Sequence, residues 1–315
     1  MILKRNFHPL KVLAYVWQEV LFALVWSVVV WVLFTYGGVK SLALNFTPIG
    51  VLGSALAIFV AFRNNSAYGR WWEARQIWGS IVNASRTFAR LVVTFTDSHA
   101  HQANYDRERS ERFKKEMVYR QIAWAHALRL HLRRQNDWEI LQPFLPAQEY
   151  SDLVAKQNKP NYLQQLMGRR IYQAMGDGTL GGFDSFQMEG QLASLANYLG
   201  NAERIKDTPL PRQYDFFTRL FVYTFATLLP LGLLSFFNQE NSLRLAWAIV
   251  PLATVIAAVF TIMEKTGAAN EDPFENRTTD VPLTSLCNTI ERDLREQLGE
   301  TDLPAKLEPS QGYLF

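Results

Sequence analysis

The sequence predicts an all-α membrane protein with four transmembrane helices and an extensive cytosolic helical region. The chain has 32 basic and 29 acidic residues, yet four long stretches contain neither and are rich in Leu, Val, Ile, Phe and Ala. These stretches are residues 20–39, 41–62, 220–239 and 245–263. Each is close to the ~20 residues that a helix needs to cross a bilayer, where a helix satisfies its own backbone polar groups. The alternative, a buried helix of a soluble protein, seldom keeps so long an uncharged run.

The charges between the stretches predict the orientation. Lys40 alone separates the first and second stretches, and Glu240 and Arg244 lie between the third and fourth. All other Lys and Arg residues lie on the opposite side, where the positive-inside rule places the cytoplasm. We therefore expect both termini and the long middle segment to be cytoplasmic, with residues 1–19, 63–219 and 264–315 in the cytosol.

The middle segment is predicted to be helical nearly throughout. Residues 67–94 place apolar side chains at three- and four-residue spacings, which is typical of an amphipathic helix, and no strong breaker separates them from the second span. One helix is therefore expected to leave the membrane and continue. Further predicted features are a polar connection at 98–112, helices at 116–134, 163–175 and 186–199, a loop around a short helix at 143–159, and a break at 207–211. No repeat or linker divides the chain, so residues 1–315 are predicted to form one unit.

Signatures of enzymes and cofactor sites are sparse. There is no phosphate-binding glycine loop. His99 and His101 are the only close histidine pair, and without further ligands they favour a solvated loop over a metal site. Cys287 is the lone cysteine, so an intramolecular disulfide is excluded, and we interpret it as a small core residue. The formal charge of +3 does not suggest nucleic-acid binding. We expect no enzyme activity, no cofactor and no metal.

Two segments carry a more specific signal. Residues 57–75 read AIFVAFRNNSAYGRWWEAR; residues 271–276 read EDPFEN, followed by DVPL at 280–283 and IERDL at 290–294. Together they resemble the bestrophin family in its bacterial branch, and ERI at 203–205 with TPLP at 208–211 is similar too. The resemblance extends over the whole chain.

The resemblance implies a bestrophin-like homopentamer around one central pore in a bacterial inner membrane. The second span would line a narrow hydrophobic neck, and cytosolic helices would enclose a vestibule that ends in a second constriction. Animal members are calcium-activated anion channels, whereas bacterial relatives conduct monovalent cations. We therefore expect monovalent ions, cations by resemblance alone, and the lipid bilayer as partners. The alternatives are an anion (chloride) channel and a non-conducting membrane-anchored scaffold or enzyme.

The second span contains a candidate pore-lining face. Two stripes can be drawn on it, one of Gly50, Ser54, Ile58 and Phe62 at four-residue spacing and an adjacent one of small residues, Gly53, Ala57 and Ala61. Small residues let helices approach closely in a membrane, so one stripe can line the axis while the other packs; both can also be packing surfaces. Three apolar side chains form the neck in the family. Ile58 and Phe62 match that pattern, whereas the hydroxyl of Ser54 departs from it.

Two cytosolic regions are also matched through the family. The second constriction falls nearest Phe186, with Gln187 beside it, although a core aromatic at a helix start explains Phe186 equally well. Residues 271–280 match the calcium clasp of animal bestrophins. Here Arg277, Thr278 and Thr279 interrupt the acidic run. Because calcium prefers six to eight oxygen ligands with several carboxylates, we expect conduction without calcium.

Overall fold

The computed structural model describes the chain except for residues 5–8, 103–104 and 238–244 and the side chains of residues 9–13. The described part is helical, and its only β-type pairings are isolated bridges that involve Ile2, Ser310 and Tyr313. The helices are α1 (Pro9–Thr35), α2 (Phe46–Ser98), α3 (Arg107–Arg133), α4 (Ala147–Val154), α5 (Lys159–Gly176), α6 (Gly182–Asp207), α7 (Arg212–Leu233), α8 (Ile249–Glu271) and α9 (Leu283–Gln297). Short 3-10 helices cover Lys40–Leu42, Trp138–Phe144 and Leu234–Phe237.

The prediction of four membrane spans is confirmed. Among the described residues, four helical stretches are long and apolar enough to cross a membrane: Ala14–Thr35, Lys40–Ser98, Arg212–Phe237 and Leu245–Glu271. The end of the predicted third span, residues 238–239, lies outside the described residues.

The helices that contain the first two predicted spans differ from those spans at three boundaries. The first span begins before residue 20, because the carboxylate of Glu19 is paired with Lys265 Nζ at 2.9 Å, so the helix tolerates this charge. It ends at Thr35 rather than at 39, and Gly38 follows with a left-handed φ of +68°. The helix of the second span starts at Phe46 rather than at 41, where Asn45 Oδ1 accepts a hydrogen bond from the Thr47 N–H at 2.9 Å and caps the helix.

The prediction that one helix continues beyond the second span is confirmed. Helix α2 has 53 residues, so at 1.5 Å per residue it is about 80 Å long, far more than the ~30 Å of a bilayer core. Its later part buries one face, including Trp78, Ile81 and Phe88.

The helices of the middle segment are longer than predicted. Helix α3 already begins at Arg107, because Asp106 accepts a hydrogen bond from the Arg109 N–H at 3.1 Å; part of the predicted polar connection is therefore helical. Helix α6 begins at Gly182, so Phe186 lies one turn inside the helix rather than at its start.

Contacts within the chain define two compact units. The span unit consists of Lys4–Arg70 and Pro209–Asp272, and the core unit of Met1–Leu3, Trp71–Thr208 and Pro273–Phe315. Helix α2 contributes residues to both.

The span unit packs α1, α2, α7 and α8 through apolar residues, among them Phe34, Val60 and Leu229. Glycine allows the closest helix approach: a Cβ at Gly53 would lie 2.7 Å from Phe225 Cε2. Many apolar side chains of this unit remain exposed, as expected for a surface that does not face water.

The core unit has a large aromatic centre. Trp78, Phe88, Phe113 and Trp124 are fully buried in it. Cys287 belongs to the same cluster, with its Sγ 3.3 Å from the carbonyl oxygen of Ala125. Burial raises the pKa of the Cys287 thiol to about 12, so this thiol is not a nucleophile.

Candidate functional site

One face of α2 in the span unit is exposed and apolar. Val51 is 65% exposed, Ile58 59% and Phe62 71%, and Ser54 is exposed between them. We call these four residues the neck stripe. Gly50, which the sequence placed on this stripe, is instead half-buried and close to the Phe46 ring. A strict four-residue repeat drifts around a helix of 3.6 residues per turn, and Val51 therefore takes the position expected for Gly50.

The opposite face of α2 packs inside the span unit. Gly53, Leu56 and Val60 are buried, and Ala57 is half-buried. Ala61, the last member of the predicted small-residue stripe, is exposed beside Phe62. The structure thus separates a packed face from an exposed apolar face at nearly the positions that the sequence indicated.

Ser54 is the polar member of the neck stripe. Its Oγ donates to the carbonyl oxygen of Gly50, one turn earlier, at 3.0 Å. The hydroxyl proton is therefore used within the helix, while the oxygen keeps acceptor capacity that a water molecule can use.

A buried cluster of charges begins at the residue after Phe62. The side chain of Arg63 is 2% exposed, and its Nη2 lies 2.6 Å from Asp215 Oδ1 and 3.4 Å from Glu271 Oε2. Its Nη1 also donates to the carbonyl oxygen of Glu264 at 3.3 Å. Arg219 and Arg212 add further pairs, at 3.1 Å to Asp215 and at 3.5 Å to Glu271. Arg63 therefore joins α2 to α7 and α8 at one end of the neck stripe.

The neighbouring residue strengthens this connection. Asn64 Nδ2 donates to the carbonyl oxygen of Met263 at 2.8 Å. A Cβ at Gly267 would lie 2.0 Å from Asn64 Oδ1, so only glycine permits this approach of α8 to α2. This cluster was not predicted from the sequence, although an arginine directly after an apolar run, with carboxylates at the ends of later spans, was its signal.

The start of α6 in the core unit presents exposed aromatic side chains. Phe186 is 73% exposed, and Phe183 and Gln187 are exposed beside it. The turn before them is held by Asp184, whose Oδ2 accepts from the Gly181 N–H at 2.9 Å and lies 2.6 Å from His99 Nε2. Phe183 was not among the residues that the resemblance indicated, which were Phe186 and Gln187.

The sequence predicted that His99 lies in a solvated loop, and this prediction was wrong. Its side chain is 16% exposed and is engaged with Asp184. The hydrogen bond to Asp184 raises the pKa of His99 above its usual 6.5. Among the described residues, no group of three or more His, Cys, Asp or Glu side chains is arranged to hold a metal ion.

Three acidic residues of the 271–280 segment already have partners. Glu271 is paired with Arg63, Glu275 lies 2.6 Å from Lys206 Nζ, and Asp280 accepts from the Arg277 N–H at 3.0 Å. Burial raises the pKa of Asp280. The prediction that conduction needs no calcium stays a prediction.

In its described residues the chain is a helical membrane protein with four spans, and α2 carries an exposed apolar face among them. The family model described as "Bacterial/Fungal Bestrophin protein" matches residues 6–296. The chain therefore belongs to the bestrophin family, which is a family of ion channels and not of enzymes.

Several bacterial proteins are similar along most of their length. A voltage-dependent anion channel-forming protein, YneE, of Salmonella typhi is 30% identical over 303 residues, which cover 96% of this chain and 93% of that protein. A voltage-dependent anion channel-forming protein of Ralstonia nicotianae is 32% identical over 260 residues, covering 82% and 79%.

The fold is also similar to solved structures. A bacterial bestrophin homologue from Klebsiella pneumoniae has a TM-score of 0.78 and 28% identity, covering 90% of this chain and 99% of that one. A variant of the Klebsiella homologue that carries one mutation has a TM-score of 0.80 and 27% identity, covering 92% and 100%.

Proposed function

We propose that this chain is one subunit of a homopentameric ion channel with a pore on the five-fold axis. The observation that carries the proposal is the neck stripe: large apolar side chains of α2 that find no packing partner within the span unit. Five copies around an axis would cover such a face, and membership of a family of ion channels supports the arrangement. Cyclic symmetry also gives a single axial pore.

In this proposal Ser54, Ile58 and Phe62 form successive rings of the neck, and Val51 continues them toward the other end of the stripe. Apolar rings restrict ion flow because water in them has few hydrogen-bond partners and an ion must lose hydration. The hydroxyl of Ser54 would keep its ring wetter than the rings of Ile58 and Phe62. The β-branched side chain of Ile58 has little χ1 freedom and would fix the width of its ring.

Phe186 and Gln187 are proposed to form the cytosolic constriction. Their exposure at the start of α6 supports this role, and the exposed ring of Phe183 belongs to the same surface. The hydrogen bonds of Asp184 would hold this surface in place.

For the charge of the ion, anions are the better-supported choice. The expectation of cations finds no support among the named relatives, whereas those of Salmonella typhi and Ralstonia nicotianae are described as anion channel-forming. The neck stripe is uncharged, so charge preference would arise elsewhere along the pathway. We place the channel in a bacterial inner membrane with both termini in the cytoplasm, because the positive-inside rule supports that orientation.

The test uses the full-length protein purified in detergent and then reconstituted in liposomes. Native mass measurement should give a pentamer, and a stable monomer or dimer as the only species would contradict the pore. Under asymmetric salt, the reversal potential should follow the anion gradient; a potential that follows the cation gradient would instead support the cation channel. Absence of any flux would support a non-conducting scaffold. Flux in a strong calcium chelator should equal flux in micromolar calcium.

Ile58→Ala tests the neck directly. Truncation should widen and wet the ring, which raises flux per reconstituted pentamer and leaves the reversal potential unchanged. If Ile58 instead packs against a neighbouring helix, truncation removes buried contacts worth on the order of 2–5 kcal/mol and lowers the yield of pentamer without raising flux. Unchanged or reduced flux from intact pentamers would exclude Ile58 from the gate.

A further inference from the structure

Two arginines of α3 in the core unit lie one helical turn apart, and both are largely shielded from solvent. Arg129 is 8% exposed and Arg133 is half-buried. Both reach the same side chain, with Arg133 Nη1 donating to Thr284 Oγ1 at 2.7 Å and Arg129 Nη1 at 3.3 Å. The Nε atoms of both arginines are buried without a hydrogen-bond partner.

Their positive charges are not neutralised nearby. Within the part of the chain that the structure describes, neither guanidinium forms an ion pair at 4.0 Å or less. Arg120, another buried arginine of α3, shows the usual arrangement, because Glu149 lies 2.5 Å from its Nη2. Asp280 acts on Arg133 only from beyond ion-pair distance, and its carboxylate is engaged by the Arg277 N–H.

Burial and the neighbouring Arg129 lower the pKa of Arg133 to about 10, so Arg133 still carries its charge at neutral pH. Two adjacent buried cations are unfavourable unless an anion accompanies them. The site thus has charge and unused Nε–H donors, and among the described residues its neutral acceptor Thr284 is accompanied by no carboxylate at 4.0 Å or less.

Thr284 adds a further donor. Its Oγ1 accepts from both guanidinium groups, so its own proton is available to a ligand. Thr284 also lies in the first turn of the 15-residue helix α9, where the helix dipole favours negative charge, and the neighbouring Ser285 N–H already donates to the Phe315 oxygen at 2.7 Å.

We propose that Arg129, Arg133 and Thr284 form a binding site for a small oxyanion of the phosphate or carboxylate class. Planar guanidinium groups match the paired oxygens of such anions better than they match a chloride ion. The bound anion would join α3 to α9, and the proposal does not depend on ion conduction.

The test is thermal unfolding of the full-length protein in detergent, titrated with inorganic phosphate, acetate or chloride at matched ionic strength. A ligand that binds only the folded state raises the melting temperature in a saturable way. Phosphate or acetate should do so and chloride should not, and the comparison identifies the preferred oxyanion. In a further arm, micelles containing phosphatidic acid distinguish a phosphate carried by a lipid from a free one.

Arg133→Met removes one charge and keeps the apolar length of the side chain. It should raise the half-saturating phosphate concentration at least tenfold, and it should raise the melting temperature without phosphate because an unpaired buried charge is lost. Arg112→Met, an exposed arginine on the same helix, is the matched control and should change neither.

The absence of any anion-specific shift in the wild-type protein would overturn the proposal. An equal shift in wild type and Arg133→Met would overturn it too, since the anion would then bind elsewhere. If Arg133→Met fails to fold, Thr284→Val keeps both charges and should still weaken phosphate binding.

Discussion

The two parts of helix α2 expose opposite kinds of side chain. In residues 46–62 the exposed side chains are mostly apolar, with Val51, Ile58 and Phe62 the largest. In residues 71–98 the exposed side chains are mostly polar, for example Asn83, Arg86, Arg90 and Asp97. The later part of this continuous helix therefore buries its apolar side chains within the core unit. The earlier part keeps an exposed apolar face, which is unfavourable in water.

This difference shows which residues require contacts that the subunit itself does not supply. The later part follows the usual amphipathic rule, so its apolar residues explain stability. The earlier part has two apolar faces, and only the one with Gly53, Leu56 and Val60 is packed inside the subunit. The remaining face requires lipid, a second copy or a dry pore.

The largest effect is expected at Arg63, the residue that directly follows the earlier part. Arg63→Met leaves the buried carboxylate of Glu271 and the half-buried one of Asp215 without their central partner, and breaking a buried ion pair from one side costs about 3–5 kcal/mol. Thermal unfolding in detergent should show a large loss of stability. Arg90→Met, an exposed arginine in the later part, should melt like the wild type. Equal melting of both variants would mean that the Arg63 cluster does not hold α2.

Two phenylalanine substitutions, one in each part of α2, test the difference between the packed and the exposed side chains. Phe88→Ala empties a fully buried site in the later part and should lower the stability of the subunit by about 3–5 kcal/mol. Phe62→Ala removes a side chain that is exposed in the subunit, so its effect on subunit stability should stay within about 1 kcal/mol while liposome flux changes. A large stability loss in Phe62→Ala without a change in flux would identify the exposed face as a packing surface only.

Two glycines provide a smaller contrast. In Gly53→Ala the new Cβ would lie 2.7 Å from the Phe225 ring, and overpacking of this kind costs about 1–3 kcal/mol. In Gly79→Ala it would lie 3.5 Å from Arg75 Nη1, an ordinary contact, and the loss of chain entropy in the unfolded state should add about 0.5–1 kcal/mol of stability. Melting temperatures should therefore move in opposite directions, and an unchanged or higher value for Gly53→Ala would contradict the packed face.

The sequence predicted the spans and the faces of α2 to the extent that they depend on local composition and spacing. Uncharged runs located all four spans, and the apolar period predicted that α2 continues past Phe62. The period also indicated Ser54, Ile58 and Phe62 as one face. Val51 replaced Gly50 because a fixed four-residue step does not follow the true helical repeat.

Long-range partners could not be predicted from spacing. Glu19 ended a charge-free run although Lys265 neutralises it, and Arg63 was interpreted as the end of a span although three carboxylates surround it. His99 was assigned to solvent because Asp184 lies 85 positions away in the chain. The predictions failed where a charge is paired with a residue that is distant in sequence.

The smallest effect on stability is expected at His99, which directly follows the last residue of α2. Like Arg63, it links α2 to another helix through a charged side chain. Its pKa is raised above 6.5 by Asp184, so the pair stabilises the fold fully below pH 6.5, and this contribution is lost as pH rises through the raised pKa. His99→Gln should therefore lower the melting temperature most at acidic pH, by an amount that corresponds to about 1 kcal/mol, and the difference from wild type should shrink as the pH increases. His101→Gln, an exposed neighbour, is the control and should show no such trend. A pH-independent difference would show that His99 acts through packing rather than through its charge.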